Sequence, residues 1–283
     1  MTLPFEIRST HRCFGGIQGF YQHNTISLGG LPMRFSVYQP PQASNHQVPV
    51  LYFLAGLTCT EETFMIKAGA QRYAAEYGFM LVSMDTSPRQ TGIVGEADDW
   101  EIGSGAGFYL DAHLAPWSKF FRMESYVTKE LYQLILEYFP ADPTHIGIFG
   151  HSMGGHGALT LALRNPNLYQ SVSAFAPIAA PCYCPWGQKA FNHYLGEINE
   201  RWSQHDATAL IATGKKIPTV LIDQGLDDPF LSTQLNIDRF EKACQLAEQP
   251  LILRHHKGYD HGYYFISTFI EDHLKHHYNL LMG

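Results

Sequence analysis

The sequence predicts an α/β fold, with a mostly parallel central sheet, an antiparallel start at the N-terminus and helices on both faces. Three observations predict it. Short, near-continuous apolar runs recur along the chain, as strands buried on both faces require. Amphipathic stretches lie between them, and strands alternating with helices argue for parallel pairing through crossovers. Near the N-terminus, Gly29-Gly30 stands between Thr25–Leu28 and Met33–Tyr38, the mark of an antiparallel hairpin.

In chain order, the hairpin is followed by Pro40–His46 (PPQASNH), whose Pro, Ser and Asn predict a surface loop. Val50–Leu54 (VLYFL) and Phe79–Met84 (FMLVSM) read as buried strands. In Ser125–Phe139 the apolar residues Val127, Leu131, Leu134, Ile135 and Tyr138 fall on one helical face. Ile146–Phe149 (IGIF) is the next strand, and Met153–Arg164 (MGGHGALTLALR) a helix stopped by Pro166. The strands Val172–Phe175, Thr219–Ile222 and Leu251–Arg254 follow, with a helix over Thr233–Ala247 before the last.

Bulk properties exclude several classes. The 283 residues carry no internal repeat or long linker, so residues 1–283 are expected to form a single domain. At 45% hydrophobic and 16% charged, the chain can bury a large core and does not resemble a disordered one. A formal net charge of −7 with no basic stripe argues against nucleic acid as a partner. No run approaches the roughly 18 apolar residues that a membrane span needs. The N-terminus, MTLPFEIRST, lacks the basic patch and apolar run of a signal peptide. The five cysteines are odd in number, which predicts free thiols in a reducing cytoplasm. Cys182-x-Cys184 has no second ligand pair and HExxH is absent, so no metal is expected. The cluster His255, His256, His273, His276 and His277 reads mostly as surface decoration.

The segment richest in chemistry is Gly150-His151-Ser152-Met153-Gly154, a G-x-S-x-G pattern. It follows a strand and opens a helix, the context of the nucleophile elbow in the α/β-hydrolase fold. Such a turn needs glycine two residues to either side of the serine, and it lifts the hydroxyl above the sheet at the positive end of a helix. A serine hydroxyl becomes a nucleophile only when a base takes its proton. In this fold the acid and then the histidine follow the serine in the chain. Thr219–Ile222 leads into Asp223-Gln224-Gly225-Leu226-Asp227-Asp228. Asp223, at the strand end, suits bracing the turn; Asp227 and Asp228 lie in the loop where the acid belongs, and spacing does not separate them. After the last strand come His255, His256 and His261. His261 lies between glycines in Gly258-Tyr259-Asp260-His261-Gly262 and is the freest to reach Ser152. An oxyanion needs two donors. The Met153 amide supplies one, and the loop Ala55–Thr60 after the first buried strand supplies the other, from Leu57.

With these residues in place, the chain resembles the S-formylglutathione hydrolases, the esterase D group, over nearly its whole length. The resemblance rests on GLTCTEETF (Gly56–Phe64), DTSPR (Asp85–Arg89), GAGFYLDA (Gly105–Ala112), FRMESYVTKEL (Phe121–Leu131), GHSMGGHGAL (Gly150–Leu159), SAFAPI (Ser173–Ile178), CPWGQKAF (Cys184–Phe191), the LIDQG segment and GYDH (Gly258–His261). It implies Ser152 as nucleophile, His261 as base, Asp228 as the acid in preference to Asp227, and Leu57 and Met153 as oxyanion donors. It implies hydrolysis of a small-molecule glutathione thioester to formate and glutathione, without metal or organic cofactor, by a homodimer. Two positions depart from the family pattern: Pro229 where glutamine is commoner and Gly262 where serine is commoner. Residues alone give acyl transfer by serine and no substrate. Two further residues are candidates for the pocket: Cys59, two positions past Leu57, and Trp186, in a loop after a strand. The rival readings are a general short-chain carboxylesterase on the same triad and a non-catalytic carbohydrate-binding protein.

Overall fold

The computed structural model describes residues 3–198 and 200–283. Among these, the strands are β1 (Glu6–Cys13), β2 (Gly16–Asn24), β3 (Pro32–Gln39), β4 (Val48–Leu54), β5 (Met80–Met84), β6 (Ala141–His151), β7 (Ser171–Phe175), β8 (Val220–Gly225) and β9 (Leu251–His256). The helices are α1 (Glu61–Lys67), α2 (Ala70–Tyr77), α3 (Met123–Ser125), α4 (Leu131–Tyr138), α5 (Met153–Arg164), α6 (Pro185–Leu195), α7 (Glu200–Gln204), α8 (Ala207–Ala212), α9 (Ile237–Ala247) and α10 (Tyr263–Met282). The strands form one sheet in the order β1-β2-β3-β5-β4-β6-β7-β8-β9. From β1 to β5 neighbours are antiparallel, and from β5 through β4 to β9 they are parallel. This is the mixed α/β sheet that the apolar runs predict.

Side-chain alternation along β7 puts helices on both faces. Adjacent residues of a strand point to opposite sides. A Cβ on Gly155 of α5 would stand 3.4 Å from the Ala174 Cβ, so α5 lies on that face. The neighbouring Ser173 hydroxyl meets His277 of α10 at 2.9 Å, so α10 lies on the other. Helix α5 is buried from Met153 to Leu163, and the six residues of β8 and five of β7 are all buried. The core is therefore centred on the parallel strands whose C-terminal ends carry the loops discussed below.

Several expectations are corrected. Thr25–Leu28 is not a strand. The hairpin pairs β2 with β3 in a register that ends at Asn24 opposite Pro32, and Thr25 closes a wider turn through its amide and hydroxyl on the Leu31 carbonyl. Strand β1 has no sequence signal because it is an edge strand with its residues mostly exposed. The helix expected over Ser125–Phe139 is broken by a π-helical turn at Tyr126–Glu130. The one expected over Thr233–Ala247 starts as helix only at Ile237, because Leu231–Leu235 forms a π turn and Asn236 adopts φ 51°. The histidine cluster is not surface decoration: His273 and His277 are fully buried. Spaced i, i+4 on α10, they reach Ser173 and Ser171 with their ring nitrogens at 2.8 and 2.6 Å. The five cysteines are free thiols.

Candidate active site

Four loops at the C-terminal ends of parallel strands converge, the usual place for ligands in such sheets. Strand β6 ends in Ser152, which is 3% exposed. Its φ of 56° and ψ of −118° lie far from any relaxed conformation of a non-glycine residue. The strain is held by its neighbours: the Ser152 amide donates to Phe175 O at 3.0 Å, and its carbonyl accepts from His156 and Ile178. The two flanking glycines are needed for space. A Cβ on Gly154 would stand 1.8 Å from the Leu54 carbonyl oxygen, and one on Gly150 2.2 Å from the Gly154 oxygen.

After β8, Asp228 is 6% exposed while Asp227 is exposed. Asp228 Oδ2 accepts from His261 Nδ1 at 2.5 Å and from Gln224 Nε2 at 3.3 Å, and its Oδ1 accepts from the Phe230 amide at 2.8 Å. Structure thus separates the two aspartates where spacing does not. Asp223 does brace the strand end: fully buried, it accepts from Arg254 Nε at 2.6 Å and meets His256 and His273. Burial alone would raise its carboxyl, but His273 and Arg254 outweigh that and hold it well below the usual carboxylate range.

His261 follows β9 and is held from three sides: Asp228 at Nδ1, the Phe230 ring edge-on at 5.0 Å, and the His151 ring at 4.5 Å. His151 is buried, and among the described residues neither of its ring nitrogens has a hydrogen-bond partner. Burial, and then the neighbouring His261, lower its basicity well below the ordinary histidine value, so it stays neutral.

After β4, Gly56 brings its loop against the elbow: a Cβ there would stand 3.3 Å from the Ser152 Cβ. The Leu57 amide, next in the chain, donates to no other group among the described residues. Met153 is the first residue of α5, so its amide is outside the helical ladder. Both amides are therefore free to serve an incoming oxygen.

Cys59 is half-buried near Thr63 and Tyr263, and burial raises its thiol, the opposite of an activated nucleophile. Trp186 is not in a loop: Pro185 opens α6, with Cys184 as its cap, and Trp186 is the second helical residue. It is 4% exposed and donates from Nε1 to Glu101 at 2.8 Å. It packs on Trp100 at 5.4 Å and on Phe230 at 4.7 Å, one ring removed from His261. Sequence reasoning missed Gln224, Phe230 and His151, which surround the Asp228–His261 pair. Gln224, inside the DQG segment, and His151, inside the elbow pattern, lay in stretches already singled out for chemistry. Among the described residues no group of three or more His, Cys, Asp or Glu side chains could hold a metal ion, and no helix is long and apolar enough to cross a membrane.

The chain is similar to known proteins over nearly its whole length. Residues 27–276 match the Esterase family model. The chain is 53% identical over 272 residues to S-formylglutathione hydrolase of Rattus norvegicus, covering 95% of this chain and 96% of that one. It is 54% identical over 275 residues to S-formylglutathione hydrolase of Arabidopsis thaliana, covering 96% of each. Its fold matches the S-formylglutathione hydrolase of Agrobacterium tumefaciens with a TM-score of 0.95 and 47% identity, over 98% of this chain and 99% of the other. A strained serine on a strand-to-helix turn, with whole-chain similarity of this depth, leaves one assignment: the chain belongs to the S-formylglutathione hydrolase family of esterases.

Proposed function

We propose that the chain hydrolyses S-formylglutathione to formate and glutathione through a formyl-Ser152 intermediate. The observation that carries this reading is the part-buried Asp228–His261 pair at 2.5 Å, on the loops beside a serine held in a strained elbow. His261 takes the Ser152 proton, and Asp228 fixes the ring with Nδ1 protonated, so that Nε2 is the base. The serine oxygen attacks the thioester carbonyl. The Leu57 and Met153 amides stabilise the resulting oxyanion, an arrangement in which one donor is typically worth about a hundred- to a thousandfold in rate. The C–S bond breaks, and His261 returns its proton to the departing glutathione sulfur. Water, deprotonated by His261, then attacks the formyl ester; formate leaves and Ser152 recovers its proton. Each step is carried by groups of the chain itself.

Trp186 backs the pocket through Phe230, and Cys59 lies at its edge. With the triad drawn from loops after β6, β8 and β9, the whole chain works as one domain. A cytoplasmic homodimer is in keeping with the free thiols and with the family. The test is a comparison of kcat/KM for S-formylglutathione with that for aryl acetates and longer aryl esters. The thioester is expected to be the best substrate; a preference for the aryl esters would assign a general carboxylesterase instead.

A further inference from the structure

We propose that Arg89 and Thr86 are positioning residues, which together with Asp85 clamp the loop that presents the Leu57 amide to the oxyanion; this rests on the reading of Leu57 as a donor. A preorganised donor must be held to within about half an ångström. Yet Gly56–Thr60 is an irregular loop, and it contains Thr58 at φ 69°, a conformation a β-branched residue rarely adopts. Such a backbone persists only where its surroundings over-determine it. Two contacts act from below. The Thr86 hydroxyl donates to the Cys59 carbonyl at 2.7 Å, and Arg89 Nη2 donates to the same oxygen at 3.3 Å. Arg89 is itself fixed by a two-pronged pair with Asp85, Nε to Oδ2 at 2.8 Å and Nη2 to Oδ1 at 2.9 Å. Asp85, 5% exposed at the end of β5, also accepts from the Thr86 amide at 2.7 Å. A third contact acts from above: the Thr58 amide donates to Gly105 O at 2.9 Å, and a Cβ on Gly105 would stand 3.0 Å from the Thr58 Cα. The Gly105 amide is in turn anchored on the Ser87 hydroxyl at 2.7 Å.

The Arg89 side chain is 37% exposed. An ion pair that open to water adds little to stability. Its geometry therefore matters for what it places: the sheet end, through Asp85 and Arg89, is wired to the carbonyl two residues beyond Leu57.

The test uses the full chain with Thr86→Val, which removes the hydroxyl and keeps the volume, and Arg89→Lys, which can still meet Asp85 but loses the fork. Arg164→Gln serves as control. Its guanidinium pairs with Glu124 at 2.9 Å, away from these loops. For the two clamp variants kcat on S-formylglutathione is expected to fall about tenfold or more, with KM within about twofold, and fluorophosphonate labelling of Ser152 to slow in parallel. Arg164→Gln is expected to lower the unfolding temperature without changing kcat. Parental kcat in folded Thr86→Val and Arg89→Lys would overturn the clamp, as would an equal kcat loss in Arg164→Gln. Ser152→Ala, run alongside, checks the reading beneath: activity retained there removes the serine mechanism itself, whatever the clamp variants do.

Discussion

Ser152 is the residue on which the sequence and the coordinates agree most closely, and the reason is steric. A backbone at φ 56° with glycines on either side leaves a recognisable pattern, because no other residue fits where Gly154 passes the Leu54 carbonyl. The acid left no such mark. Asp227 and Asp228 are adjacent and spacing leaves both open; the family resemblance favours Asp228, and burial and the contact to His261 distinguish it in the structure. Asp228→Asn is expected to lower kcat by about ten-thousandfold by favouring the wrong His261 tautomer, with thermal unfolding near that of the parent as the check on folding. Glu61 makes a second prediction at this scale. Burial, and then Asp85, push its carboxyl from 4.5 up to about 7, and its Oε2 has no hydrogen-bond partner among the described residues. The folded chain therefore holds this proton more tightly than the unfolded chain. The contribution to stability is present below pH 4.5 and is lost as pH rises towards 7. Glu61→Gln should be more stable than the parent at pH 8, by up to about 3 kcal/mol, and no more stable at pH 4; thermal melts at the two values decide it.

Among the elements, the buried parallel strands β4 to β8 were legible because burial on both faces writes an apolar run. Helix α5 was legible because it begins at the elbow and ends at Arg164, before Pro166. Strand β1 was not, since an exposed edge needs no apolar alternation. Helix α10 was missed for the opposite reason. Part of its buried face is histidine, His273 and His277, satisfied by serines of β7 in place of apolar packing. Trp186 was read as loop because Pro185, which opens α6, looks like punctuation in sequence. The elbow gives a prediction here. Gly154→Ala places a Cβ where the Leu54 carbonyl stands, so β4 and α5 must separate. A loss of at least about 1–3 kcal/mol in denaturant unfolding is expected, with activity falling alongside. Gly262→Ser should be harmless by both measures. Gly262 caps α10 with φ −89°, and a Cβ there meets only the Asp260 side chain, no closer than 3.3 Å.

At the scale of the whole molecule, six buried histidines set the response to acid. Burial lowers His156 from 6.5 to about 4 and, with the help of Arg164, His205 to about 3. It also lowers His23, His151, His273 and His277. Each is neutral when folded and takes up a proton more readily when unfolded. The stability they allow is present above pH 6.5 and lost as pH falls below it. The unfolding temperature should therefore drop as pH goes from 6.5 to 4; a flat profile across that range would contradict the burial of these rings. The fold's other global property is that its loops bring the Asp228–His261 pair against His151, the neighbour of Ser152, from strands far apart in sequence. The measurement that tests this most directly is S-formylglutathione turnover by the parent and by Ser152→Ala, followed as released glutathione thiol. The parent is expected to turn over rapidly and the variant to sit at the background rate. A Ser152→Ala protein that releases thiol as fast as the parent would contradict the account.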